Sequence, residues 1–131
     1  NLTMEQQGGG FAITAIRLDL QARVPGIDEA RFQELANEAK AKIIYDAVDQ
    51  SGGFYRGHAR PDSRSAMNLT FRTPTEALDD KFVAEALKAG MDQLKGHRST
   101  GGVRASAYNA MPVAGCEALA SFMRDFARAN G

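Results

Sequence analysis

The run Lys95-Gly96-His97-Arg98-Ser99-Thr100-Gly101-Gly102-Val103-Arg104 sets one imidazole and two guanidinium groups among three glycines. A guanidinium offers two parallel N–H donors to a carboxylate or phosphate, and glycine lets the backbone approach the ligand closely. The chemistry available to His97, Arg98 and Arg104 is therefore anion binding. On residue types alone, a glycine-rich turn with solvated charges explains the same run. A second basic group, Arg56, His58, Arg60 and Arg64, follows Phe54 and Tyr55. Aromatic and basic residues together can grip single-stranded nucleic acid. Here 16 basic residues balance 16 acidic ones, so no global field draws the chain to nucleic acid or an anionic membrane. Neither is expected as a partner, and the second group reads as a solvated loop. The lone Cys116 falls on an apolar helical stripe, where a thiol packs as a small hydrophobe. One cysteine excludes an internal disulfide and fits a reducing, cytoplasmic setting. His58 and His97 stand 39 positions apart with no cluster of cysteines or carboxylates, so no metal site is expected. Gly8-Gly9-Gly10 fits neither a P-loop nor a dinucleotide fingerprint.

The elements that position these residues follow from periodicity. From Ala12 to Val24 apolar and polar residues alternate, the period of a long antiparallel strand with one wet face. Its free edge offers a route to a homodimer. After Pro25-Gly26, Asp28 is a helix N-cap. Phe32, Leu35, Ala36, Ala39, Ile43, Ala47 and Val48 then form one stripe of a helix that Ser51-Gly52-Gly53 stops. Met67, Leu69 and Phe71 alternate as a second strand. Thr73-Pro74-Thr75-Glu76 has the spacing of a capping box with Thr73 as cap. The helix it opens carries Leu78, Phe82, Val83, Ala86 and Leu87 inward and ends at Gly90. Short strands are expected at Met91–Leu94 and Gly102–Tyr108. A last helix spans Val113–Ala129 with Cys116, Leu119, Ala120, Met123, Phe126 and Ala127 inward. The expectation is one α+β domain over residues 1–131. It is a two-layer α/β sandwich of order β-α-β-α-β-β-α, its sheet mostly antiparallel and its helices on one face.

Two family resemblances meet within the first helix. Residues 8–41, with Val24-Pro25-Gly26-Ile27-Asp28, Phe32-Gln33-Glu34 and Ala39-Lys40-Ala41, resemble part of the osmotically inducible and organic-hydroperoxide-resistance family of thiol peroxidases. In that family the helix leads into a Cys-Pro-Val-Ser motif with a reactive thiolate. Ile43 stands near the matching place, and an aliphatic side chain cannot replace a thiolate. Residues 42–131 resemble the C-terminal small domain of phosphoserine aminotransferase. The stretch from Lys95 to Ser106 and the stretch Tyr108-Asn109-Ala110-Met111-Pro112 carry that likeness. The resemblance implies that His97 and Arg98 contact the substrate's anionic side chain or phosphate and that Arg104 holds its α-carboxylate. It also implies dependence on pyridoxal phosphate, whose lysine belongs to a large domain with no counterpart in these residues.

From this pairing the expectation is an engineered chimera assembled to test folding. It would have no enzymatic activity, no catalytic residues, no metal and no cofactor of its own. Two alternatives stand beside it. One is a module that binds phosphate or a carboxylate weakly at His97, Arg98 and Arg104. The other is a truncated relative of the aminotransferase.

Overall fold

Asp28 opens the first long element, and its carboxylate accepts the Arg31 N–H at 2.8 Å, supplying a partner that the first helical turn lacks. The computed structural model of the chain describes residues 2–7 and 10–16 as paired backbone, and residues 25–131 in full. In chain order the elements are β1 (Leu2–Gln7), β2 (Gly10–Ile16), α1 (Glu29–Asp49), β3 (Arg56–Gly57), β4 (Asn68–Arg72), α2 (Glu76–Lys88), β5 (Val103–Ser106) and α3 (Val113–Asn130). A single 3-10 turn lies at Pro61–Ser63. The α+β class expected from the sequence is the class found.

β3, β4 and β5 make an antiparallel sheet in the order β3-β4-β5. Leu69 and Phe71 of β4 pair with Ala105 and Val103 of β5, and all four are buried. The alternate positions Asn68, Thr70, Arg72, Arg104 and Ser106 therefore share the opposite face. The core lies on the helix side. Phe82 of α2 meets Tyr55, Phe71, Phe122 and Phe126 edge-on, with ring centroids 5.1–6.1 Å apart. That geometry sets the positive edge of one ring against the negative face of another. From α1 come Ala41, Ile44, Ala47 and Val48, and from α3 come Cys116, Leu119, Ala120, Met123 and Phe126.

Several local expectations are corrected. α1 is continuous through Ala41–Ile44, but its buried stripe is Asn37, Lys40, Ala41, Ile44, Ala47 and Val48. Phe32 is only half-buried, and Leu35 is exposed. The first half of the helix thus turns a polar pair, Asn37 and Lys40, toward the rest of the molecule. Phe54 and Tyr55, read as part of a solvated loop, are buried. Tyr55 also donates its hydroxyl to the Met123 carbonyl at 2.8 Å. The connection after them contains the short strand β3. Thr75 caps α2 through the Leu78 N–H, not Thr73. Thr73 is buried and gives both its N–H and its hydroxyl to one Asp79 oxygen at 2.8 Å. Met91–Leu94 is not a strand. Gln93 has φ +62, a left-handed conformation that no extended strand contains, and only Lys95 forms a bridge, to Val103. The expected strand over Ala12–Val24 falls partly on β2, which pairs with the unanticipated β1. Residues 17–24, and with them the edge expected to pair two copies, lie outside the described residues.

Candidate anion site

The turn that carries His97 and Arg98 is closed on itself. Gly96 donates its N–H to the Gly102 carbonyl at 2.8 Å, and the His97 carbonyl accepts from Thr100 at 2.9 Å and Gly101 at 2.7 Å. Glycine is required at the neck. A Cβ on Gly96 would lie 2.0 Å from the Gly101 oxygen, and one on Gly102 would lie 2.8 Å from the Phe71 oxygen. The crossing from turn to sheet is tied by the Arg104 N–H, which donates to the Leu94 carbonyl at 2.8 Å.

His97 and Arg98 sit at the exposed tip of this turn. His97 Nδ1 lies 2.7 Å from the Ser99 hydroxyl, which orients the ring. Arg98 makes no hydrogen bond or ion pair among the described residues. Arg104 stands on β5 opposite Thr70, on the sheet face turned away from the helices. Its Nε is buried and has no hydrogen-bond partner in the described structure. The three residues singled out by type thus lie along one continuous stretch of backbone. Two are at the tip of one hairpin-like turn, and the third is just beyond its neck.

Sequence reasoning missed Arg72 and read its neighbour His58 as part of a solvated loop. Arg72, on the same sheet face, donates its Nε to His58 Nε2 at 2.7 Å and its Nη2 to the Thr100 carbonyl. Burial, with the Arg72 charge second, holds the His58 pKa below its usual range, while the Thr70 backbone and Asp79 pull it the other way. The available signal was the polar alternation of β4, which places Arg72 beside Thr70 and across from Arg56. The three strands of this sheet carry Arg56, Arg72 and Arg104 and no acidic residue. Fixed positive charge along these strands favours an anion on this face, with the buried Asp79 carboxylate, bonded to Thr73, as the nearby opposing charge.

Arg60 and Arg64 of the second basic group are otherwise engaged. Arg64 grips Asp49 with two bonds of 2.7 Å and lies 4.5 Å over the Tyr45 ring. Its bonds hold the Asp49 carboxyl below the usual range. Arg60 pairs with Asp62 at 2.6 Å. With Phe54 and Tyr55 buried, the loop offers no phenylalanine or tyrosine ring on which a base could stack. No group of three or more potential metal ligands occurs among the described residues, and none of their helices is long and apolar enough to cross a membrane. Cys116 is buried, and burial pushes its thiol up, away from the reactive thiolate.

Fold and turn together define a small α+β domain that displays a cationic loop at one end of its sheet. The chain is homologous to the C-terminal part of phosphoserine aminotransferase. It is 61% identical over 93 residues to the phosphoserine aminotransferase of Lysinibacillus sphaericus, a match covering 71% of this chain and 26% of that protein. It is 51% identical over 107 residues to the Xanthomonas euvesicatoria enzyme, covering 80% of this chain and 30% of the relative. The solved phosphoserine aminotransferase of Bacillus circulans superimposes with a TM-score of 0.73 at 56% identity, over 75% of this chain and 27% of that one. The chain therefore spans little more than a quarter of the length of such relatives. No family model matches it.

These matches overturn the chimera expectation. A match of 107 residues does not fit within the 90 from Lys42 to Gly131, so it runs back across Ala41 into the first half of α1. The contacts agree. Asn37 donates to the Asn109 side chain at 2.7 Å, and buried Lys40 donates to the carbonyls of Tyr108 and Met111 at 2.7 and 3.2 Å. Residues assigned to a peroxidase piece are thus bonded specifically to the loop that most resembles the aminotransferase. The reading as an engineered protein without enzymatic kinship, and the peroxidase-like reading of residues 8–41, are both set aside. The relatives are named for an enzymatic activity.

Proposed function

We propose that this chain forms the C-terminal, substrate-anion side of a pyridoxal-phosphate-dependent phosphoserine aminotransferase, acting in the cytoplasm. In this reading His97 and Arg98 take the substrate phosphate, and Arg104 takes the α-carboxylate. The observation that carries it is the unpartnered, buried Nε of Arg104. A buried donor left without an acceptor costs about 1–3 kcal/mol. A carboxylate bound side-on across Nε and Nη would remove that cost.

The cofactor itself does not fit the described residues. Lys40 is held by two carbonyls. Lys42 pairs with Asp46, Lys81 with Glu85 and Lys95 with Asp80. Lys88 is exposed in the last turn of α2. Lys95, though bridged to Val103 next to Arg104, has its amine on Asp80. The groups that hold pyridoxal phosphate are accordingly assigned to the three quarters of the relatives' length outside this match.

A segment exchange tests the proposal. Residues 42–131 would replace the matching part of the Lysinibacillus sphaericus enzyme, and transamination of O-phosphoserine with 2-oxoglutarate would be followed. The hybrid should be active. Arg104→Ala should lower kcat/KM for every amino-acid substrate, whereas His97→Ala with Arg98→Ala should act chiefly on substrates bearing the phosphate. A folded hybrid whose activity ignores all three changes would refute these roles.

A further inference from the structure

The anion turn has an external brace that its own hydrogen bonds do not explain. Arg72 reaches out of β4 and holds two separate parts of the structure, His58 after β3 and the Thr100 carbonyl inside the turn. Thr100 C=O belongs to the same peptide unit as the Gly101 N–H, which donates to the His97 carbonyl at 2.7 Å. One amide plane is thus gripped at both ends, and a charged donor at its oxygen polarises it and strengthens the bond at its nitrogen. The exit of the turn lies flush against the same two side chains. A Cβ on Gly102 would come within 2.9 Å of Arg72 Cγ and 3.1 Å of His58 Cε1. An arginine Nε can only donate, so His58 accepts through an unprotonated Nε2 and carries its proton on Nδ1.

We infer that Arg72 is a positioning residue for the anion turn, seated on neutral His58 and clamping the Thr100 carbonyl so that His97 and Arg98 are presented in one fixed arrangement. This rests on the anion-binding reading above, but the clamp is separately measurable. It differs from a second possibility, that Arg72 adds only one more positive charge to the sheet face. Arg72→Lys keeps the charge and loses the planar fork that spans His58 and Thr100. His58→Ala removes the acceptor without changing charge at mildly alkaline pH, and His58→Gln returns an acceptor oxygen.

The test uses the whole 131-residue chain and two readouts. The first is amide hydrogen exchange of Gly96, Thr100 and Gly101 with no anion present. The second is sulfate titration followed by amide shifts of residues 96–104. Arg72→Lys and His58→Ala should each speed exchange at Gly101 about tenfold and weaken sulfate several-fold, and His58→Gln should recover much of both. Wild-type exchange in Arg72→Lys would overturn the clamp, whatever sulfate does. If sulfate moves no shift in the wild type while exchange follows the expected pattern, the clamp stands and the anion reading falls.

Discussion

His58 shows how a single side chain is tuned by what folds against it. Burial and the Arg72 guanidinium disfavour its charged form, with the Thr70 backbone and Asp79 opposing them. The sign of the pH effect follows. A histidine whose folded pKa is depressed binds its proton more readily when the chain unfolds. Its contribution is therefore full above the ordinary value near 6.5 and is lost as pH falls from there through the folded value. Two results are expected. The imidazole should titrate below the usual range by proton NMR, and Arg72→Ala should move that midpoint back up. Over the same interval the protection of the Gly101 amide, taken relative to the intrinsic exchange rate at each pH, should fall, because a protonated Nε2 no longer accepts from Arg72. A midpoint unchanged by Arg72→Ala would show that the two groups do not interact in solution.

At the scale of elements, the first helix was legible in extent and misjudged in rotation. Its N-cap Asp28 and its stop before Gly52-Gly53 are local signals, and α1 obeys them. Which face it buries depends on its partner. The apolar pattern favoured Phe32, Leu35 and Ala39, whereas the structure turns Asn37 and Lys40 inward because carbonyls and an amide await them on the loop before α3. No periodicity reveals a buried lysine whose partners lie some 70 positions away. The same limit hid the Arg72–His58 pair, joined only by strand pairing, whereas His97, Arg98 and Arg104 fall within one short glycine-rich run. Lys40 is 3% exposed, so its loss leaves two carbonyls without their donor. Lys40→Met, which keeps the aliphatic stem, should cost about 1–3 kcal/mol in urea unfolding. It should also broaden the amide signals of residues 108–112, and an unperturbed loop would count against the contact.

For the molecule as a whole, stability concentrates where α2, α3 and the sheet meet around Phe82. That ring is fully buried and touches aromatic neighbours from the loop before β3, from β4 and from α3. Phe82→Ala should cost about 3–5 kcal/mol by cavity formation. Phe32→Ala, expected from the sequence to be as severe, should cost well under half of that because the side chain is only partly covered. Comparable losses in the two variants would contradict this placement of the core. The arrangement also equips the molecule with an optical probe. The chain has no tryptophan and three tyrosines, so its near-ultraviolet light absorption belongs almost wholly to those rings. Each reports a different depth: Tyr108 is 51% exposed, Tyr45 lies beneath Arg64, and Tyr55 is sealed in the aromatic cluster. Burial raises the phenol pKa of both Tyr45 and Tyr55, for Tyr55 well beyond the ordinary value near 10. In added alkali the Tyr55 phenolate signal should therefore emerge only as the interior comes apart, so a simple spectrophotometer can read the opening of this core without a label.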